Sequence, residues 1–210
     1  MKLTKYEHAC FTLEQDGKLL VVDPGIITTD LGSPENVVAI VVTHEHPDHF
    51  DPAALGALIA HNPDAVIYAH KDITKQFGDT LPHQAVTAGE TVVVEPFTLE
   101  FFGGEHAVIH PSIPVVANLG VMVNDTLYYP GDSFVKPNKP VKVLALPVTA
   151  PWMRLAEAMD YVSELKPELA FPTHDGVASS FGKQLPDRMI PSFMESYGGS
   201  YQRIKGSIEV

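Results

Sequence analysis

The 210-residue chain contains a single cysteine, Cys10, and no long apolar run. One thiol excludes an internal disulfide framework, which is the usual device of small secreted domains. No apolar stretch approaches the roughly 20 residues that cross a bilayer, and the first eight residues lack the apolar core of a secretory signal. These absences predict a cytoplasmic protein that does not bind membranes.

Basic residues are also scarce, because 14 lysines and arginines stand against 26 acidic residues and give a formal net charge of −12. Proteins that bind long nucleic acids need a basic face to contact the phosphates. The charge balance therefore argues against long RNA or DNA as a partner. A small molecule is the expected partner, and the oligomeric state stays open.

No linker rich in proline, glycine or serine divides the chain, and no low-complexity tract is present. A chain of this length that is 45% hydrophobic can bury a sizeable core. Its 18 prolines and 15 glycines are spread between short apolar runs, which is typical of many tight connections. We therefore predict a single domain over residues 1–210.

Short apolar runs with the character of strands outnumber helical patterns along the chain. Strands are predicted over residues 11–14, 18–22, 37–43, 65–69, 91–94, 98–102, 115–123, 126–129, 141–146 and 169–172. Helices are predicted over residues 52–61, 72–77, 153–165 and within 183–196. Because the strands come in two batches, the pattern favours two stacked sheets with helices outside them.

The most informative segment is residues 43–49, Thr-His-Glu-His-Pro-Asp-His, which directly follows an apolar run. Imidazole and carboxylate are ligands that zinc, manganese and iron accept, and the end of a buried strand supports them rigidly. Side chains alternate in an extended segment, so His44, His46 and Asp48 share one face while His49 comes round as the chain turns. The segment therefore predicts a metal site on a loop between a strand and a helix.

Three further candidate ligands stand at the ends of later apolar stretches: His106, Asp132 and His174. Together with the 43–49 segment they supply more groups than the four that close a structural zinc site. A surface loop that happens to be rich in histidine is the alternative interpretation of the 43–49 segment alone. The downstream ligands argue against that alternative and favour a site for two metals.

The full pattern, His-x-His-x-Asp-His followed by a lone histidine, a bridging aspartate and a final histidine, resembles that of the metallo-β-lactamase superfamily. The resemblance runs from the first strand to about Arg188, and it implies an α/β (α+β) fold, a four-layer αββα sandwich. Within the superfamily, segments 5–10, 23–25 and 130–132 are most similar to small stand-alone metal-dependent hydrolases related to ascorbate 6-phosphate lactonase.

The resemblance also implies how seven ligands divide between two metals, most simply two zinc ions, with manganese or iron as alternatives. One metal would be held by three histidines, the other by two histidines and an aspartate, and a second aspartate would bridge them: His44, His46 and His106; Asp48, His49 and His174; Asp132. Two such cations about 3.5–4 Å apart can share a water and lower its pKa towards neutrality.

We therefore expect a binuclear metal-dependent hydrolase in which metal-bound hydroxide attacks a small anionic ester-type substrate, namely a phosphate ester, a phosphodiester or a lactone. The alternative is a non-catalytic metal-binding or sensing module of the same fold. The complete ligand set favours catalysis, because it suits two metals with an open position rather than one closed structural site.

Two other histidines are catalytic candidates beside Asp48 and Asp132. His8 belongs to a His-small-Cys segment that the resembling enzymes carry near their site, although a buried histidine bonded to backbone explains it equally well. His110 follows His106 by four residues and could line the rim of the pocket as a proton donor or a substrate contact.

Asp23 is expected either to fix a ligand histidine or to form a turn before a proline. Trp152 is expected to pack rather than to stack on substrate, and Cys10 to be a small buried hydrophobic residue. The remaining histidines are expected at the surface: His61, His70 and His83.

Overall fold

The computed structural model describes residues 1–210 and contains two mixed sheets of seven strands each. The first sheet consists of β1 (Lys2–Lys5), β2 (Phe11–Gln15), β3 (Lys18–Val22), β4 (Val37–Val42), β5 (Val66–Ala69), β6 (His83–Ala85) and β14 (Gly206–Glu209). The second consists of β7 (Thr91–Val94), β8 (Phe97–Glu105), β9 (Ala117–Val123), β10 (Leu127–Tyr129), β11 (Val143–Pro147), β12 (Leu169–Thr173) and β13 (Ser200–Tyr201). The helices are α1 (Pro52–His61), α2 (Lys71–Thr74), α3 (Leu155–Leu165) and α4 (Ser180–Glu195).

The strand β4 illustrates how the sequence builds the layers. Its side chains point alternately to the two faces of the sheet, as the period of a strand requires. Ala39 and Val41 join the core between the two sheets, whereas Ile40 and Val42 join the cluster that packs under α1 and α2. Because both faces of β4 are covered, the strand is a continuous apolar run.

The second sheet is covered in the same way on its outer face, where Leu144 and Leu146 of β11 pack with Val162 of α3 and Ile190 of α4. Helices therefore lie outside both sheets. This arrangement confirms the predicted αββα sandwich. None of the helices combines the length and apolar character that crossing a membrane requires.

The functional edge of the sandwich is set by the parallel strands. In the first sheet β3, β4 and β5 run parallel, and in the second β10, β11 and β12 do so. Loops that leave the carboxyl ends of parallel neighbours emerge at the same edge of their sheet. An isolated antiparallel bridge between His44 and Asn118 then ties the end of β4 to the start of β9, which joins the two sheets at this edge.

Every predicted strand has a counterpart, but β1, β6, β13 and β14 were not predicted. These strands are only two to four residues long, and most of their side chains are half-buried or exposed. The apolar alternation that marks a longer strand is therefore missing from them. The structure also begins α4 earlier than the predicted residues 183–196, at Ser180, whose preceding residue Ser179 caps the helix by accepting from Gly182 N.

Candidate metal centre

The structure brings together the seven predicted ligands from four chain segments at the edge where the two sheets meet. The ligand atoms of His44, His46 and His106 lie within 4.8 Å of one another, and those of Asp48, His49 and His174, together with His8, form a second group by the same measure. The seventh, Asp132, lies between the two groups.

The carboxylate of Asp132 faces histidines of both groups. Its Oδ2 lies 3.3 Å from Nε2 of His106 and 2.9 Å from Nε2 of His174, while its Oδ1 lies 3.3 Å from Nε2 of His49. The distance from Oδ2 to Nε2 of His44 is 3.9 Å. A single carboxylate in this position can serve both groups.

Asp23 orients two of the histidines. Its Oδ2 accepts from His49 Nδ1 at 2.7 Å and from the Thr43 hydroxyl at 2.7 Å, and its Oδ1 accepts from Thr43 N at 2.8 Å. Because that hydroxyl donates to Asp23, it accepts from His44 Nδ1, 3.0 Å away. The expectation that Asp23 fixes a ligand histidine is confirmed. Asp23 O also accepts from Gly25 N at 2.9 Å, which closes the expected turn around Pro24.

Backbone carbonyls orient two more of the histidines. His106 Nδ1 donates to Ala107 O at 2.5 Å, and His174 Nδ1 donates to Thr149 O at 2.6 Å. A hydrogen bond from Nδ1 fixes the tautomer and leaves Nε2 with a free lone pair, which is how proteins prepare a histidine to bind a metal.

Three of the four Nε2 atoms are buried and make no hydrogen bond of good geometry within the protein. Nε2 of His44, His49 and His106 and Oδ1 of Asp132 are buried without any hydrogen bond. Buried polar atoms are normally paired, because leaving one unpaired costs about 1–3 kcal/mol. Imidazole nitrogens and carboxylate oxygens are donors that divalent transition metals accept, so these residues fit such ions.

His8 is connected to the second group by a hydrogen bond to Asp48 and is not counted as a further ligand. Gly176 N donates to His8 Nδ1 at 3.1 Å, so that nitrogen carries no proton. The proton is therefore on Nε2, which donates to Asp48 Oδ2 at 3.0 Å. Burial lowers the pKa of His8 although Asp48 opposes the effect, which is consistent with a neutral ring. His8 is therefore a buried histidine bonded to backbone, as one of the two expectations had it, but it is also bonded to the side chain of Asp48, a predicted ligand.

The loop that carries His8 is held in turn by Lys5. The Lys5 ammonium donates to Tyr6 O at 2.6 Å, to His8 O at 2.7 Å and to Cys10 O at 3.2 Å. His174 N also donates to His8 O, at 3.2 Å. This network supports the left-handed φ of 55° at His8, a conformation that costs about 1–2 kcal/mol for a residue with a Cβ.

The other candidate residues fall outside the cluster or support it indirectly. His110 is exposed, and its Nδ1 accepts from Ser112 N at 3.1 Å and lies 2.7 Å from the Ser112 hydroxyl. His61 and His83 are exposed as expected, whereas His70 is half-buried and caps α2 by accepting from Asp72 N. Cys10 is fully buried, as expected.

Trp152 has a contact that sequence reasoning missed. Its ring packs against Phe134, with centroids 5.3 Å apart, so the expected packing is present. The indole N–H also donates to Asp132 Oδ2 at 2.8 Å. In the sequence, this contact with Asp132 could have been suspected only from the position of Trp152, which follows the end of β11 on the same edge as the ligands.

Asn118 and Gly25 position the ligand loops and were also missed. Asn118 accepts from Asp132 N at 2.9 Å and donates to Pro130 O at 2.9 Å, which holds the turn before Asp132. A Cβ on Gly25 would lie 2.0 Å from Asp48 O, so no other residue fits against the metal-binding loop there. The Asp-Pro-Gly sequence signalled a turn but not this close approach.

Charge within the cluster shifts the pKa values of its members when no metal is bound. Burial opposes protonation of His49, but Asp132 and Asp23 outweigh it and raise its pKa to about 10. Burial likewise opposes protonation of His174, and Asp132 and Asp48 raise its pKa to about 9. Burial disfavours the ionised form of Asp132, yet the surrounding histidines hold its pKa well below the usual value. The apo cluster therefore holds protons where metals would bind.

Comparisons with known proteins agree with this arrangement. The model of the β-lactamase superfamily domain matches residues 2–174. Protein Rv0786c of Mycobacterium tuberculosis is 38% identical over 184 residues, which cover 85% of this chain and 86% of that protein. A UPF0173 metal-dependent hydrolase of Aeropyrum pernix is 27% identical over 228 residues, covering 91% of this chain and 92% of its own.

A solved structure has the same fold. Igni18, a metallo hydrolase from the archaeon Ignicoccus hospitalis, superposes with a TM-score of 0.73 at 18% identity over 100% of this chain and 98% of its own. The family match spans most of the chain and includes all seven predicted ligands, from His44 to His174. The chain therefore belongs to the metallo-β-lactamase superfamily.

Proposed function

We propose that this metal-dependent hydrolase uses two divalent transition-metal ions to cleave a small anionic ester-type substrate: a phosphate ester, a phosphodiester or a lactone. Zinc is the metal we propose first, and manganese and iron are the alternatives for the same donors. The observation that carries the proposal is the set of buried, unpartnered ligand atoms on both sides of Asp132.

Each metal would have its own triad of ligands, with Asp132 shared. The first triad is His44, His46 and His106, and the second triad is Asp48, His49 and His174. When bound, the two metals would lower the pKa of a shared water towards neutrality and so supply the nucleophile. No serine or cysteine nucleophile is needed, and Cys10 is excluded by its burial, which raises the pKa of its thiol to about 12.

The charges of the site select the substrate. Asp48 and Asp132 would contribute two negative charges against the four positive charges of two divalent ions, so the centre would remain cationic. Such a centre attracts an anionic substrate and stabilises the negative charge that develops when an ester-type bond is attacked. The surrounding chain, with a net charge of −12, would repel long polyanions.

Residues outside the triads would orient the ligands and the substrate. His8 would hold Asp48 through its Nε2–H, and Asp23 would hold His49 and, through Thr43, His44. His110 is exposed on the loop after His106, and we propose that it contacts the substrate or donates a proton to the leaving group.

We propose that residues 1–210 act as one hydrolase domain, since β1 and β14 from the two ends of the chain pair in one sheet. A cytoplasmic location and a small-molecule partner remain predictions from the sequence.

The test is to load the purified chain with zinc, manganese or iron, to measure metal per chain, and to assay generic phosphomonoester, phosphodiester and lactone substrates. We expect close to two metals per chain and turnover that a chelator abolishes. Oxygen from labelled water should enter the product in a single turnover under enzyme excess.

Three results would contradict this proposal. Saturation at one metal would exclude the binuclear site, and a trapped acyl- or phosphoryl-enzyme would exclude direct attack by water. Two bound metals without turnover of any substrate class would favour the alternative, a non-catalytic metal-binding or sensing module.

A further inference from the structure

Five of the ten large apolar side chains that the protein exposes lie on loops that follow Asp23 or a predicted metal ligand. Three of them, Val108, Ile113 and Val115, follow His106 and are 57%, 45% and 46% exposed; we call them the 108–115 patch. Ile26 and Val177, 60% and 59% exposed, follow Asp23 and His174, and we call them the 26/177 patch. The other exposed large apolar residues are Val93 and the α4 residues Phe181, Leu185, Met189 and Phe193.

The 108–115 patch is anchored directly beside the first triad. His106 N donates to Val116 O at 3.0 Å, and Ala107 N donates to Asp132 O at 2.9 Å. Val108 therefore adjoins Ala107, whose N–H bonds to Asp132, and Val115 adjoins Val116, whose carbonyl holds His106.

A cavity adjoins this patch. It has a volume of about 230 Å³ and is lined mainly by apolar residues, Ile73 and the stretch Val115, Val116 and Ala117, with Glu45 and Asp72 as its polar members. Glu45 lies between the ligands His44 and His46 in sequence. A recess lined mainly by apolar residues thus lies beside Glu45, the residue between two ligands of the first triad.

The 26/177 patch lies on the side of the second triad. Ile26 N donates to Pro47 O at 2.9 Å, one residue before Asp48. A Cβ on Gly176, the neighbour of Val177, would lie 2.9 Å from Ile27 Cγ2 and 2.9 Å from His8 Cβ. The two patches therefore flank the two triads.

We propose that the substrate carries an apolar arm, aliphatic or aromatic, next to the ester-type group, and that this arm lies against the 108–115 patch and its cavity. The inference rests on the proposed function and narrows its substrate class. Exposed apolar surface clustered at one place marks a binding site, because water solvates it poorly. Covering it with an apolar arm stabilises the complex, by up to about fourfold in affinity for each buried methylene.

Alkylphosphonates test this inference without requiring turnover. Their anionic head would bind the metal centre, their carbon–phosphorus bond resists hydrolysis, and the chain length can be varied. We expect butylphosphonate to bind the zinc-loaded protein with a Kd at least about tenfold lower than that of methylphosphonate, as measured by calorimetry. Butylphosphonate has three more methylenes, and their full burial would lower the Kd by more than this.

Four variants at exposed positions locate the arm. The double variant Val108→Ser and Val115→Ser should remove most of the dependence on chain length and leave the Kd of methylphosphonate within about twofold. The matched double variant Ile26→Ser and Val177→Ser should keep the dependence. Val93→Ser and Phe193→Ser are controls at exposed apolar positions away from the ligand loops, and they should change neither quantity.

The outcomes separate this inference from the proposed function. Equal Kd values for methyl- and butylphosphonate would overturn the apolar arm while leaving a binuclear hydrolase intact. Loss of the dependence only in the 26/177 double variant would overturn the placement on the 108–115 patch. Absence of binding by every phosphonate, together with absence of hydrolysis, would overturn the proposed function and this inference with it.

Discussion

The two triads of the proposed metal centre differ in where their supports lie. In the first triad, His44 is held by the adjacent Thr43 and His106 by the adjacent carbonyl of Ala107, and His46 is half-buried. In the second triad every ligand is held from a distant part of the chain, by the supporting residues Asp23, Thr149 and His8.

This difference indicates two kinds of preorganisation. Ligands that are held by long-range contacts keep their geometry only while the whole edge of the sandwich is intact. Their side-chain conformational entropy is lost on folding, before the metal binds. Ligands that are held only by their chain neighbours can adjust to a metal or to a substrate. Exposure does not separate the triads, because His46 and Asp48 are both half-buried. The second triad would therefore set the structure of the centre, and the first triad would face the incoming substrate.

The largest effect should come from removing the group that the two triads share. Asp132→Ala should lower metal affinity at both positions by more than about 100-fold, since loss of a mere supporting residue already costs 10–100-fold. Metal per chain after dialysis should fall below one equivalent. His106→Ala should weaken chiefly the first position, and equal loss at both positions in that variant would contradict the division into triads.

Removing a distant support should distinguish the triads. Asp23→Ala leaves His49 Nδ1 and Thr43 N without their buried acceptor, and we expect a 10–100-fold loss of affinity at the second position. The loss at the first position should be smaller, because His44 keeps its bond to Thr43. Thr43→Val removes the hydroxyl that accepts from His44 and donates to Asp23, but Asp23 keeps its bonds to His49 and Thr43 N. The variant should therefore weaken chiefly the first position, by about tenfold. Competition with a fluorescent chelator measures both affinities, and melting temperatures verify that each variant folds. If Thr43→Val weakened the second position as strongly as the first, the comparison would be disproved.

The two triads should also respond differently to pH. The raised pKa values of His49 and His174, about 10 and 9, mean that a metal entering the second triad must displace protons. Burial lowers the pKa of His44 and His46, so those two ligands of the first triad are already deprotonated at neutral pH.

Affinity at the second position should therefore rise by up to about 100-fold for each pH unit between about 7 and 9, where both histidines lose a proton to the metal, and affinity at the first should change little. Calorimetry in buffers of different ionisation enthalpy should detect proton release for one metal equivalent and not the other. In the metal-free protein the same raised pKa values stabilise the fold below about pH 6.5, and this contribution is lost as the pH rises through about 9 and 10.

A smaller effect is expected from His8, because it acts on a single ligand. His8→Ala should weaken the second position by about tenfold and leave the first unchanged. His8→Gln keeps an N–H donor and should recover part of the loss. If His8 were itself a ligand, neither variant would bind the second metal and glutamine would not rescue. Metal titration of both variants decides between the two roles.

The smallest effects should come from the histidines outside the cluster. His61→Ala and His83→Ala change exposed side chains, so metal content and hydrolytic rate should stay within about twofold of the parent protein. His70→Ala removes the cap of α2 and should lower the free energy of unfolding by about 0.5–2 kcal/mol without changing metal content. A loss of metal in any of these variants would show that the pocket extends further than the two triads.

Much of the fold could be predicted from the sequence because its signals are local. The run before residue 43 is apolar over six residues and emerges as β4, and the Asp51-Pro52 pair starts α1 at Pro52. The short strands β6 and β13 could not be predicted, since pairing with β5 and β12 rather than their own residues makes them strands. His110 was predicted from its spacing after His106, and its role remains a prediction.

The sequence by itself determined which residues offer donor atoms that metals accept. Imidazole and carboxylate side chains at successive strand ends can be recognised without knowledge of the packing. Only the tertiary structure decided which ligand atoms are free. The partner of His49 is 26 residues away, that of His174 is 25 residues away, and that of Asp48 is 40 residues away. A hydrogen bond depends on the distance and angle between two atoms in space, so the tautomers of His49 and His174 follow from the packing of the two sheets and not from their neighbours in the chain.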